Sequence, residues 1–116
     1  MAPGTLRRRI AATLALATAG AWATVGGLYA ATPTVIEQAG IEFLPKAVTI
    51  KAGEQVVFLN SDVFGHNVYS DTEGGAFDIG LQNSRSEVAV TFDNPGRFTL
   101  RCRIHPKMRA VVTVTE

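Results

Sequence analysis

The sequence predicts an all-β domain: a Greek-key β-sandwich of about seven short strands, preceded by an N-terminal signal or anchor helix. Three observations carry this. From Thr32 onward no long segment has helical periodicity, and apolar residues alternate in short runs instead. Turn signals separate those runs, among them Ala52-Gly53-Glu54 and Asp93-Asn94-Pro95-Gly96. The chain has 116 residues, room for one domain. That length excludes a TIM barrel, or a dinucleotide-binding fold joined to a substrate domain.

The segment 1–31 is expected to be an address, and 32–116 the folded domain. Met1–Arg9 is basic, and Ile10–Ala31 is uncharged and rich in Ala, Leu, Val and Gly, the layout of a secretory signal peptide. Ala21-Trp22-Ala23 fits an A-x-A cleavage site, and cleavage after Ala30 or Ala31 is an alternative. Arg7-Arg8-Arg9 lacks the rest of a twin-arginine motif. The apolar stretch of 22 residues is long enough to span a bilayer as an uncleaved anchor, but its small residues favour a cleaved signal. Either form places the domain outside the cytoplasm, in a periplasm or its equivalent.

The strands follow in order. Thr34–Gln38 is the first. Ala47–Lys51 alternates Val48 and Ile50 with Thr49 and Lys51. Gln55–Asn60 is apolar on both faces, with Val56 and Phe58 against Val57 and Leu59, and is expected to be covered on both. His66–Ser70 is a short strand, and Asp71–Gly75 is a polar loop. Glu87–Phe92 sets Val88, Val90 and Phe92 on one face. Arg97–Cys102 alternates again, and Arg109–Thr115 closes the set with β-branched residues. A domain of about 85 residues is small for a sandwich, and a bound metal would help to hold it together.

Charge narrows the function. Eleven Lys and Arg against ten Asp and Glu leave a net charge of +1. Without Arg7, Arg8 and Arg9 the balance is eight to ten. No basic excess points to nucleic acid. The single Cys excludes an intramolecular disulfide framework and a CxxC pair. In an exported protein such a residue is buried, paired between chains, reactive or bound to metal.

Cys102 has company. Cys102-Arg103-Ile104-His105-Pro106-Lys107-Met108 reads C-x2-H-x2-M, and His66 lies 36 residues before the Cys. Beyond residue 31 these four are the only Cys, His and Met. Strand parity puts Phe98, Leu100 and Cys102 on one face, so the thiol points with the apolar set. The chain then turns, and His105 and Met108 can face back toward the sulfur. His66 reaches the same point from another strand. A thiolate and two imidazoles with a weak axial thioether form the blue-copper electron-transfer donor set. Zinc would gain little from the thioether.

These residues resemble the cupredoxin, or type 1 blue-copper, family, and within it the plastocyanin and amicyanin group. The likeness runs from Ile41 to Thr115. It includes Phe43, Pro45, Val48, Ile50, Gly53, Val56, Phe58, Asn60 and His66-Asn67, then Asn94-Pro95-Gly96, Phe98, Leu100 and the ligand loop. The short His105–Met108 spacing is that of amicyanin-like proteins. The resemblance implies one copper ion held by His66, Cys102 and His105 as equatorial ligands and Met108 as the axial one. It implies that Asn67 ties the ligand segments together by hydrogen bonds. It makes His105 the electron port beneath an apolar patch, with Phe64, Pro106 and Leu44 as patch residues. Two positions depart from the family. Arg103 stands where relatives often carry Thr or Ser, so the Asn67 bond is expected to go to backbone. Ile104 stands where relatives often carry Pro, which implies a less rigid loop. The interval from His66 to Cys102 is short, so the family's extra helix there is expected to be a loop.

The expected function is a single-electron carrier between redox proteins, acting as a monomer and catalysing no bond chemistry. Arg101, Arg103, Lys107 and Arg109 place four cations in nine residues with no acid among them, which would steer an acidic partner. Phe64, Pro106, Arg103 and Lys107 are the expected docking residues, and membrane contact follows only if the leader is retained. A copper chaperone or storage protein is the alternative, although the exposed Met- and His-rich motifs usual in such carriers are missing. A copper enzyme would need further His ligands, and both His are already used.

Overall fold

The computed structural model describes residues 32–116, and the expected leader, whether cleaved or an anchor helix, lies outside them. Among the described residues nine strands form two sheets. The strands are β1 (Thr34–Ala39), β2 (Glu42–Leu44), β3 (Ala47–Lys51), β4 (Gln55–Asn60), β5 (Tyr69–Ser70), β6 (Phe77–Asp78), β7 (Glu87–Thr91), β8 (Gly96–Arg101) and β9 (Arg109–Thr115). One sheet runs β2-β1-β4-β7 and the other β3-β9-β8-β5-β6. The chain changes sheet five times between β2 and β8, so neither sheet is a simple meander. β1 pairs with β4 in parallel, and so does β3 with β9, while the other pairings are antiparallel.

The inward faces are those the alternation predicts. Ile36, Val56 and Phe58 of one sheet meet Ile50, Phe98, Leu100, Val112 and Val114 of the other, all buried. Phe43, Val68 and Phe92 fill the margins. Phe92 meets Phe77 edge-on at 5.6 Å and Phe98 at 5.7 Å. Gly75 lies flat against Phe98, where a Cβ would come within 2.4 Å of the ring. That close approach leaves room only for glycine.

Three strand expectations change. β2 and β6 are additional, because three- and two-residue strands are too short to show a period. The strand expected over His66–Ser70 shrinks to Tyr69–Ser70, and His66 instead makes an isolated bridge to Gln82. β4 is buried on one face only: Val57 and Leu59 are half-buried, since nothing in the domain packs a third layer on them. No helix occupies the interval from His66 to Cys102.

Candidate metal centre

The β8–β9 hairpin carries most of the site. Arg101 and Arg109 face each other across the two strands, and the loop they close contains Cys102, His105 and Met108. Cys102 follows Leu100 in parity and is 2% exposed, so its thiol sits at the end of the core. Met108 is 1% exposed, and its amide donates to the His105 carbonyl at 3.0 Å, turning the loop back into β9. The pairing of Tyr69 with Arg101 then brings the segment before β5 alongside. That segment delivers His66, which is fully buried.

The result is a three-residue cluster. The ligand atoms of His66, Cys102 and His105 all lie within 4.8 Å of one another. His66 Nδ1 and His105 Nδ1 face each other at 3.1 Å, and Cys102 Sγ is 3.9 Å from His105 Nδ1. The Asn67 amide donates to Cys102 Sγ at 3.3 Å. Soft sulfur beside two imidazole nitrogens is a donor set that suits copper in both oxidation states.

Asp62 orients His66. The His66 Nε2–H donates to Asp62 Oδ2 at 2.6 Å, which puts the ring proton on Nε2 and leaves Nδ1 as a lone pair toward the cluster. Burial works against ionisation of Asp62, but the Ile41 amide, the His66 ring and the Gly40 amide outweigh it and hold the carboxyl below its usual range. Those amides belong to the β1–β2 turn, where Gly40 and Ile41 have φ of 62° and 57°. A positive φ is costly for a β-branched residue, and the two bonds to Asp62, at 2.7 and 3.0 Å, help to hold it there. The carboxylate thus locks a strained turn and a ligand ring to one point.

A buried amide network supports the other side of His66. Gln82 exchanges both backbone bonds with His66, at 2.7 and 2.9 Å. The Gln82 side chain accepts from Gln38 Nε2 at 2.6 Å and donates to the carbonyls of Phe58 and Ser86. Asn60 Nδ2 donates to the carbonyls of Phe64 and Gln82. Buried polar groups of this kind hold position because leaving them unpaired is costly.

Asn67 joins the two ligand segments through its side chain as well. Its Oδ1 accepts from the Arg103 backbone amide at 3.2 Å, so the bond goes to backbone as expected with Arg after the Cys. Its Nδ2 donates to Asp78 Oδ1 and to the Gly80 carbonyl. The Arg103 side chain does not join a ring of four free cations: its Nε donates to Asp78 Oδ2 at 2.7 Å and its guanidinium lies 3.9 Å over the Tyr69 ring. Hydrogen bonds from Arg103, the Gly80 amide and Asn67 lower the Asp78 pKa from 3.8 to about 2. A depressed carboxylate stabilises the fold fully above its ordinary value, and that contribution disappears as pH falls through about 2. Acidification from pH 4 to 2 is therefore expected to lower the protection of the Arg103 amide, that is, its exchange rate relative to the intrinsic rate at each pH. An Asp78→Ala variant should exchange fast at neutral pH already. Identical exchange in both proteins would show that Asp78 does not brace this segment.

The expected docking residues lie at the surface. Phe64 is 53% exposed, and Pro106 and Lys107 are exposed beside His105, itself half-buried. Leu44 is exposed on β2. Sequence reasoning missed Leu81, 67% exposed, and Ile104, 49% exposed, which line one apolar groove with Asn67 and Gly80. It also missed Asp62, Gln82 and Asp78. An acid four residues before a His was a usable signal for Asp62, and a lone Leu in the polar run Gly80-Leu81-Gln82-Asn83 was one for the patch.

Comparison with known proteins places this geometry. The family model for copper binding proteins of the plastocyanin/azurin family matches residues 30–115. The chain belongs to that family. It is 36% identical to amicyanin from Paracoccus versutus over 127 aligned positions, covering 95% of this chain and 96% of that one. It is 31% identical to a chloroplastic plastocyanin from Physcomitrium patens, over 68% of this chain and 54% of the relative. The crystal structure of the P. versutus amicyanin superimposes with a TM-score of 0.66 at 33% identity, over 76% of this chain and 86% of that one. A copper-containing nitrite reductase from Thermus scotoductus superimposes with a TM-score of 0.70 at 28% identity, but the match spans only 23% of its length. The cupredoxin fold and a family copper site are thus common ground with these proteins.

Proposed function

We propose that the protein is a type 1 blue-copper electron carrier working between extracytoplasmic redox proteins. The observation that carries this is the cluster of His66, Cys102 and His105, with ligand atoms within 4.8 Å of one another on a cupredoxin fold. His66, Cys102, His105 and Met108 would hold the ion. Bound copper supplies a one-electron Cu(I)/Cu(II) couple. The chain's own work is to keep the donors in place. Asp62 fixes the His66 tautomer, the Asn67 amide bonds the sulfur, and the bridge to Gln82 holds the His66 backbone. Donors held this way move little between oxidation states, which favours fast electron exchange.

His105, half-buried between exposed Ile104 and Pro106, is the electron port in this reading, with Phe64 and Leu81 extending the apolar rim. Residues 1–31 act as an export leader and 32–116 as the working domain. In this reading the domain catalyses no bond chemistry, because His66 and His105, the two His of the sequence, both belong to the one cluster. Visible absorption after adding Cu(II) tests this. An intense band that bleaches with a mild reductant and returns with an oxidant is expected. Pale protein with bound copper would remove Cys102 from the ligands and favour copper storage or delivery.

A further inference from the structure

β7 is the end strand of its sheet, so one of its edges has no neighbouring strand. Two bonds fix which groups lie along that edge. The Asn60 amide donates to the Ser86 carbonyl and the Phe92 amide to the Glu54 carbonyl, both at 3.0 Å. Bonded pairs recur at every second residue of an antiparallel ladder, so Val88 and Val90 turn their backbone groups toward β4. The amides and carbonyls of Glu87, Ala89 and Thr91 therefore point outward, and all three residues are exposed. The strand carries no Pro or Lys, residues that commonly blunt an open edge.

A cavity adjoins this edge. β6 is the end strand of the other sheet, and a cavity of about 200 Å³ is lined from both end strands, by Phe77 on β6 and by Val90 on β7, with Phe92, Phe98 and Gly75. A segment paired on β7 turns the side chains opposite Val88 and Val90 inward, toward this cavity, and those opposite Glu87 and Ala89 outward. The space suits one side chain of Leu or Phe size. A second copy of β7 offers only Val there, which is too short to fill it. Charge defines the rest of the ligand. Glu87 lies on the edge strand, Asp93 lines the cavity and Glu73 precedes its Gly74 wall. Among the described residues none of these acids makes an ion pair. Glu87 also shares an outward row with Leu59 and Glu37. A cation opposite Glu87 is favoured and an acid there is repelled.

We propose that β7 accepts an extended segment of a partner protein as an added strand, with apolar side chains at alternate positions and Lys or Arg between them. The open backbone edge supplies the hydrogen bonds, the cavity takes one apolar side chain, and Glu87 takes the cation. Phe98 lies four residues before Cys102, roughly 13 Å along the strand. The site is thus separate from the metal cluster and independent of the copper reading, and a partner held there leaves the His105 end uncovered.

Nuclear magnetic resonance on the nitrogen-labelled full-length protein, with copper added and reduced, tests this with a six-residue peptide of alternating lysine and leucine. Saturable shifts are expected at the amides of Glu87, Ala89 and Thr91, with hydrogen exchange there slowed at least about tenfold. Ala89→Pro removes the central outward N–H, at a position where an edge strand tolerates proline, and should weaken the apparent Kd at least about tenfold. Glu87→Lys should weaken it at least about threefold. A peptide of alternating glutamate and leucine should bind at least about tenfold more weakly than the lysine peptide. Shifts that never saturate, or saturation without slowed exchange at the three amides, would overturn strand addition. An unchanged Kd in Ala89→Pro, its fold verified by its amide spectrum, would do the same. If that variant fails to fold, the exchange pattern and Glu87→Lys decide. Equal binding of the two peptides would overturn the basic partner. Slowed exchange at the same amides on raising protein concentration without peptide would assign the edge to a second copy instead.

Discussion

Cys102→Ser is expected to abolish the intense visible band of the Cu(II)-loaded protein and to weaken copper binding at least about tenfold. The hydroxyl is a hard, weak donor in place of a soft thiolate. Its shorter reach also strips the Asn67 amide of an acceptor now 3.3 Å away. Cys102 is buried, so the change costs little in surface chemistry and acts on the centre. Copper titration against a competing chelator, followed by absorption, measures both effects. A variant that kept the parent's colour and affinity would remove Cys102 from the ligand set. Both outcomes are informative only if the fold survives, which far-ultraviolet circular dichroism reports directly.

Phe58→Ala is expected to cost about 3–5 kcal/mol of stability, because it opens a cavity between two sheets that cannot close around it. For a domain of this length that lowers the melting temperature by on the order of 20 °C. Phe58 is fully buried, and its carbonyl accepts from Gln82 Nε2 at 2.8 Å. The same Gln82 is bridged to His66. The loss should therefore reach the centre, and added copper should recover part of the melting temperature by binding the native state. Thermal unfolding with and without copper checks this. A cost below about 1 kcal/mol would contradict tight packing between the sheets.

Long alternating runs made the fold legible. Val48 and Ile50, Phe98 and Leu100, and Val112 and Val114 announce β3, β8 and β9 through a period of two. The same parity aimed Cys102 inward and so led to the donor set. What escaped was local or non-local in a way that period cannot show. Glu42–Leu44 and Phe77–Asp78 are too short for any period, and they exist because β1 and β5 offer edges to pair with. His66 looked like the start of a strand, but Val68 bonds to Ile79 and His66 to Gln82, so two loops meet where a strand was expected. Arg103 looked like one of four cations in a run with no acid, and only the fold reveals Asp78 beside it, 25 residues earlier. Side chains that bridge distant segments carry no periodic signal.

The two parallel pairings bear on how fast the chain folds. Ala47 stands beside Val111 and Thr34 beside Val56, so each sheet depends on partners far apart in sequence. Long stretches of chain must lose freedom before either pairing returns any energy. Domains built this way fold in roughly milliseconds to seconds, against microseconds to milliseconds for helical bundles. During that interval β4 and β9 have exposed apolar edges. A chain still open during that interval is exposed to aggregation and proteolysis, so the long-range pairings that build the two sheets also set the period in which the chain is vulnerable.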